Sequence, residues 1–382
     1  MTTRHLRTRR FTLTSLTGAA LVGSLVLSAC GSDNNTNTAA GSTGSASSSS
    51  AGDAACTPGT LNGEGSSAQQ NAIEEVISDF QDTCAGATVN YNATGSGAGI
   101  KQFIAGQVDF AGSDSALKTE AKDGVVEQTA ADQTCGSPAW NLPMVTGPIS
   151  IAYNLAGVDK LVLTPKVAAD IFLGKITSWD DPAIAAVNGG TTLPKQPIKV
   201  FFRSDESGTT ENFTKYLHAA APDAWTADPG KAWTGKGEGK EKSSGVAGAV
   251  KATAGGITYA EWSFAKDNGL GVAQVDNGGG AVELTGESAG KAVAAATVAG
   301  TGNDLKLKLD YATKTPGAYP IVLVTYEIVC SKAKDPAKGK MVKAFLQQFA
   351  SAEQQQKLVA IGYAPLPEAI STKVTAAIAA LS

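Results

Sequence analysis

Apolar positions along this chain recur with two alternating periods, one helical and one strand-like. The stretch 68–83 places Ala72, Ile73, Val76, Ile77 and Phe80 on one face at the 3.6-residue period, which predicts a helix. Short apolar runs at 88–91 and 108–111 predict strands, and Ile100, Phe103 and Ile104 between them mark a second helix. Residues 148–154 read as a strand. Residues 164–173 read as a helix, with Thr164 as cap and Pro165 at the first helical position. A strand over 198–202 precedes a helix carrying Phe213, Tyr216 and Leu217, and a helix over 246–253 precedes a strand over 256–259. Residues 319–330 form a long apolar strand, and the chain ends in helices over Val342, Phe345, Leu346 and Phe349 and over 367–381. Strands alternating with helices predict an α/β fold with mainly parallel sheets.

Three glycine- and hydroxyl-rich turns, at 63–67, 94–99 and 204–210, each follow a predicted strand and open a predicted helix. A helix start offers backbone N–H groups without an internal partner and the positive end of the dipole. In an α/β fold, ligands lie beyond the carboxyl ends of the strands, where all three turns fall. Three such starts converging on one point would make a cage of donors for a small oxyanion.

The first 29 residues have a different character. Arg4, Arg7, Arg9 and Arg10 precede an apolar run from Leu13 to Leu27, then Ser28, Ala29 and Cys30. That order predicts an export signal, its apolar run short for a membrane span. Leu27-Ser28-Ala29-Cys30 resembles a lipobox, which implies cleavage before Cys30 and a lipid on that cysteine. The Arg9-Arg10 pair leaves open whether export follows the general or the twin-arginine route. Residues 30–56, nearly all Gly, Ser, Thr, Ala and Asn, predict a flexible tether. The formal charge is −4, and loss of the four leader arginines moves it near −8. A nucleic-acid-binding stripe is excluded on that balance, and an anion site has to work through local donors.

Four cysteines besides Cys30 remain, and in an oxidising compartment they predict two disulfides. Cys56 precedes the first strand and Cys84 closes the first helix, which predicts Cys56–Cys84 and, by elimination, Cys135–Cys330. No cysteine spacing fits a metal or redox motif, so no metal or other cofactor is expected.

Specific resemblance lies in the turns themselves. Leu61-Asn62-Gly63-Glu64-Gly65-Ser66-Ser67, Gly95-Ser96-Gly97-Ala98-Gly99, Asp109-Phe110-Ala111-Gly112-Ser113-Asp114 and Arg203-Ser204-Asp205-Glu206-Ser207-Gly208-Thr209 resemble the phosphate-binding proteins of bacterial high-affinity phosphate importers. Segments 174–181 and 256–261 resemble the same family, and the set runs in family order over nearly the whole mature chain. The resemblance implies a two-lobed, hinged solute-binding architecture, with 57–154 and 319–382 in lobe one and 155–318 in lobe two. It implies phosphate contacts from Ser67, the Ala68 N–H, Ser96, Asp114, Arg203, Ser207, Gly208 and Thr209, with Asp205 pairing the arginine. It also implies a monomer that delivers inorganic phosphate to a membrane ABC permease, anchored through Cys30 at the outer face of the cell membrane.

The chemistry of the set agrees with that reading. Phosphate near neutral pH keeps a proton, so a site that selects it needs an acceptor, which Asp114 supplies. Sulfate has no proton to offer, and the carboxylate would face it unmatched. Arg203 can hold two oxygens through its planar fork. Other readings are an enzyme, such as a secreted phosphatase-like hydrolase, and a binder of another oxyanion such as arsenate or sulfate. Outside the leader the sole histidine is His218, next to alanines and without a nucleophile elbow, so no enzyme is expected. The loop 236–242 reads as solvated rather than as a second anion site, and the tryptophans read as packing residues.

Overall fold

The computed structural model describes residues 56–121 and 124–382. The leader, Cys30 and nearly all of the expected tether lie outside them. From its start the described chain alternates strand and helix: β1 (Gly59–Gly65), α1 (Gln70–Thr83), β2 (Ala87–Asn92), α2 (Ser96–Ile104) and β3 (Phe110–Ser113). Next come α3 (Glu127–Cys135), the long strand β4 (Ala139–Asn154), α4 (Pro165–Phe172), β5 (Lys199–Arg203) and α5 (Gly208–Ala220). Then follow β6 (Glu238–Lys240), α6 (Lys242–Lys251), β7 (Gly256–Glu261), α7 (Gly286–Ala294), β8 (Val322–Cys330), α8 (Pro336–Ala350) and α9 (Glu368–Ala379), with shorter elements between.

One twisted sheet runs in the order β2-β1-β3-β8-β4-β7-β5-β6, with Gly271–Val272 paired to β4 off this path. Pairing is parallel in β2-β1-β3 and in β7-β5-β6, and antiparallel where β8 and β4 join the two groups. The fold is therefore mixed α/β, with two parallel wings on an antiparallel centre.

Two large hydrophobic cores flank this centre, and a smaller third gathers Ile100, Phe103, Leu117, Ala131 and Ile328. The first gathers Leu61, Ile73, Val76, Phe110, Phe345 and Phe349, and Ala289, Val293 and Leu305 also pack into it from between the stretches expected to form that lobe. The second gathers Phe172, Trp179, Phe213, Trp225 and Tyr259, which bears out a packing role for these tryptophans. β4 serves both: Leu142, Met144 and Val145 belong to the first core, Ile149, Ile151 and Tyr153 to the second. β8 does the same through Val322 and Val324 on one side and Leu323 on the other.

Most elements fall within two residues of their expected bounds. β8 begins three residues late, at Val322 rather than 319, and β4 departs furthest, because it begins at Ala139 rather than 148. Pro143, Gly147 and Pro148 read locally as a break, yet each sits in register opposite β8, at Tyr326, Leu323 and Val322, with a bulge at Thr325/Tyr326 absorbing the irregularity. Helix α6 also begins earlier than expected, at Lys242 rather than 246. Its cause is a contact with the site described below.

Capping follows sequence chemistry. Thr164 accepts the Val167 N–H at 3.3 Å at the start of α4, with Pro165 in the first turn. Both disulfides have the expected pairing, Cys56–Cys84 and Cys135–Cys330.

Candidate functional site

The three helix starts meet at one place, between β1, β3 and β5. The turn after β1 is pinned by Ser66, whose N–H donates to Gly112 O at 2.8 Å. Gly65 has φ +143°, and a Cβ there would lie 2.0 Å from Gly112 O, so the approach of β1 to β3 requires glycine. Gly95 before α2 has φ +102°, and a Cβ would come within 2.6 Å of Asp205 Oδ2. Gly208 at the start of α5 leaves room for Asp114, whose Oδ2 would stand 2.6 Å from an added Cβ. Two of the three starts are thus shaped around a carboxylate.

Asp114 is 3 % exposed and accepts three hydroxyl protons. Ser66 Oγ donates to Oδ1 at 2.5 Å, Thr325 Oγ1 to Oδ1 at 2.8 Å and Ser96 Oγ to Oδ2 at 3.0 Å. Burial pushes its pKa up to about 6, against the pull of the Ser66, Thr325 and Ser96 hydroxyls, and the nearby Glu261 adds to the rise. Asp114 is therefore ionised at neutral pH but close to the edge of that range.

Arg203, at the end of β5, is 1 % exposed. Its Nε donates to Asp205 Oδ1 at 2.7 Å and its Nη2 pairs with Asp205 Oδ2. Nη1 reaches Thr209 Oγ1 at 3.3 Å and Ser243 Oγ at 2.9 Å. Burial alone lowers the guanidinium pKa, but the Asp205 hydrogen bonds and charge carry it above the usual value. Burial likewise works to raise Asp205, and Arg203 brings it below the usual carboxylate range. The pair is fixed and close to neutral as a unit.

Ser207 caps α5, accepting the Thr210 N–H at 3.1 Å and keeping its own O–H free to donate elsewhere. Thr209 Oγ1 donates to Glu261 Oε1 at 2.5 Å. The Ala68 N–H donates to Ser66 Oγ at 3.0 Å, so the serine two residues earlier engages that donor in this arrangement. Ser67 meets Ser243 across the site, Oγ to Oγ at 3.2 Å, and accepts the Ser243 N–H at 3.1 Å. All of Ser67, Ala68, Ser96, Asp114, Arg203, Asp205, Ser207, Gly208 and Thr209 thus converge on one buried region.

The helix starts on either side are joined by polar contacts. Asn212 Nδ2 donates to Asp114 O at 2.8 Å, and the Gly97 N–H to Glu206 O at 3.0 Å. Glu211 receives Ser115 Oγ at 2.8 Å and lies near Lys118, Lys215 and Lys231. Burial opposes its ionisation, but these lysines hold its pKa down at about 2.

Several residues here carry no local mark in the sequence. Ser66 and Thr325 complete the shell of Asp114. Glu327, two residues after Thr325, is fully buried, accepts Gln69 Nε2 at 2.7 Å and leaves Oε2 without a hydrogen-bond partner among the described residues. Burial pushes its pKa up to about 8 against the Gln69 hydrogen bond, with Asp114 adding to the rise. A Thr and a Glu at alternate positions in an otherwise apolar strand is the one signal that points to them. The loop 236–242, expected to be solvated, holds strand β6 and delivers Lys242 and Ser243 to the site: the Lys242 N–H donates to Asp205 Oδ1 at 3.0 Å. Three convergent helix starts with their hydroxyls, one neutralised cation and one poised acceptor suit a small, tetrahedral, singly protonated anion.

Comparison with known proteins agrees with this geometry. The model of the PBP superfamily domain matches residues 37–353. The chain is 47 % identical over 373 residues to phosphate-binding protein PstS 3 of Mycobacterium tuberculosis, covering 96 % of this chain and 97 % of that one. It is 33 % identical to phosphate-binding protein PstS of Methanocaldococcus jannaschii over 78 % of this chain and 80 % of the other. Among solved structures, a high-affinity periplasmic phosphate-binding protein (PfluDING) bound with phosphate superposes with a TM-score of 0.65 at 24 % identity, over 83 % of this chain and 93 % of that one. That likeness establishes the fold, the two-lobed architecture of periplasmic solute-binding proteins. At the level of sequence, the chain belongs to the family of PstS phosphate-binding proteins.

Proposed function

We propose that this protein captures inorganic phosphate between its two lobes, outside the cytoplasm, and delivers it to a membrane ABC permease. The observation that carries the reading is the buried Asp114 carboxylate set among three helix starts and beside the neutralised Arg203. A carboxylate in an anion site repels every anion except one that brings its own proton. Phosphate does so near neutral pH. The named relatives at 44–47 % identity support the same reading.

In this reading Ser67, Ala68, Ser96 and Asp114 contact the ligand from the first lobe, and Arg203, Ser207, Gly208 and Thr209 from the second. Contacts from both sides favour the closed arrangement, so capture proceeds by closure about the β4–β8 centre. Micromolar affinity corresponds to about 8 kcal/mol, within reach of several charge-assisted hydrogen bonds after desolvation. The lobes follow 57–154 with 319–382 and 155–318, except that Ala289, Val293 and Leu305 pack into the first core. Cleavage before Cys30 and its lipidation would tether the protein to the outer face of the membrane. Among the described residues no helix is long and apolar enough to cross a membrane.

No enzymatic role is proposed. His218 Nδ1 is buried without a hydrogen-bond partner among the described residues, which supports no nucleophile–base pair there. Titration calorimetry of the protein lacking residues 1–29 with phosphate, arsenate and sulfate tests the proposal. Phosphate binding with sulfate refused is the expected result, whereas sulfate bound as tightly as phosphate refutes the role of Asp114.

A further inference from the structure

Lys242 is the one non-glycine residue with a left-handed backbone among the described residues, at φ 65°. Such a conformation is costly for a side chain with a Cβ and persists where surroundings enforce it. Here the enforcement is visible. The Lys242 N–H donates to Asp205 Oδ1, the oxygen that also receives Arg203 Nε. The turn then carries Ser243, which is fully buried, into contact with both Arg203 and Ser67.

The hydrogen inventory of these three groups admits a directed chain. Ser243 Oγ has one proton to give and two lone pairs. One lone pair accepts from Arg203 Nη1 at 2.9 Å, an arginine that can only donate. The Ser243 N–H already donates to Ser67 Oγ at 3.1 Å, and Ser243 Oγ lies 3.2 Å from the same atom. Either hydroxyl can donate across that contact; in the arrangement where Ser243 donates through both its N–H and its O–H, the Ser67 proton is released to point away from it. The chain then runs from the Arg203 guanidinium through the Ser243 hydroxyl to the Ser67 hydroxyl, each bond polarising the next.

We infer that Ser243 is a further residue of this site, a positioning residue that relays the charge of Arg203 to Ser67 and so turns the Ser67 hydroxyl toward the bound anion. The inference rests on the phosphate reading. It adds a fourth helix start, that of α6, to the three visible in the sequence, and it gives the strained Lys242 turn a purpose. Because Ser67 follows β1 and Ser243 lies in the first turn of α6, the relay also joins elements of the two wings of the sheet, so its loss acts on ligand release.

The test is a double-mutant cycle on phosphate binding with Ser67→Ala, Ser243→Ala and the double variant, read by calorimetry and by stopped-flow dissociation. Each single change should weaken phosphate binding about 10-fold, as loss of a hydrogen bond to a charged group does, with most of the change in the dissociation rate. The double variant should lose little more than either single one, because both remove the same relay. A purely structural role for Ser243 would instead make the two losses multiply, which overturns the inference. Ser243→Ala binding within about twofold of the parent overturns it as well. Ser243→Gly, which also lacks the hydroxyl, is read in the same way should the alanine variant not fold. Failure of the unaltered protein to bind phosphate would overturn the parent reading and this one with it. Normal binding by the parent with an unaffected Ser243→Ala would overturn this one alone.

Discussion

Replacing Asp114 with asparagine separates recognition of the ligand proton from the packing around it. Oδ1 accepts Ser66 and Thr325, and Oδ2 accepts Ser96. In the variant the amide oxygen can keep the first two donors, while the amide NH2 meets Ser96 Oγ, a hydroxyl able to turn and accept. Shape is retained, and the one acceptor facing the ligand becomes a donor. The lost hydrogen bond involves a charged group, worth about 1.5–3 kcal/mol, so phosphate affinity at pH 7.5 should fall roughly 10- to 150-fold. Sulfate, no longer facing a carboxylate, should gain affinity. The ligand-free protein should change in the opposite direction. The Asp114 pKa is raised from 3.8 to about 6, so its contribution to stability is full below the unfolded value and lost as pH rises through about 6. A rise of that size is on the order of 3 kcal/mol. Asparagine has no such loss, so the variant should melt higher than the parent at pH 7.5 and show no such advantage near pH 4. Calorimetric titration with both anions and thermal melts from pH 4 to 8 measure the two effects. Undiminished phosphate binding by the variant, together with continued refusal of sulfate, would refute the reasoning.

Glu327, raised from 4.5 to about 8, gives a second pH effect: its contribution is full below 4.5 and lost as pH rises through 8. Glu327→Gln should therefore stabilise the ligand-free protein at pH 9 by an amount on the order of 5 kcal/mol and flatten its melting profile between pH 5 and 9, as checked by differential scanning calorimetry. Arg203→Lys keeps the charge but loses the fork to Asp205 and the reach to Thr209 and Ser243. Phosphate affinity should drop at least about 10-fold in calorimetry, because a point charge does not replace bidentate geometry. Removing Cys135–Cys330, which joins residues 195 apart, should destabilise more than removing Cys56–Cys84, whose partners are 28 apart. By loop entropy the costs are about 5 and about 4 kcal/mol, and denaturant melts of the paired serine variants measure them.

Much of this site is legible in the sequence because its chemistry is local. Glycine is demanded where a strand end meets a carboxylate or a neighbouring backbone, as at Gly65, Gly95 and Gly208, and such demands leave a mark in sequence. Ser207 and Thr164 are caps, and a cap is a contact over three residues. What the sequence hides depends on distant partners. Thr325 reaches Asp114 across 211 residues, and Ser243 reaches Ser67 across 176. Nothing near either residue encodes the partner. The start of α6 departs from its expected position for the same reason: Lys242 takes a conformation that its own composition disfavours, and Asp205, 37 residues earlier, holds it there. The first half of β4 is concealed because Pro143, Gly147 and Pro148 carry a loop signature, which the register with β8 overrides.

The central pair of strands sets a strict rule on length. Side chains on β4 alternate between faces, and one unbroken strand supplies Met144 to the first core and Ile151 to the second. An extra residue inserted between them would reverse the facing of everything beyond it, exchanging the side chains of two buried faces on one half while the other stayed correct. Surface connections elsewhere can grow or shrink among descendants of this chain. This spine must be copied residue for residue, because it keeps both halves in phase.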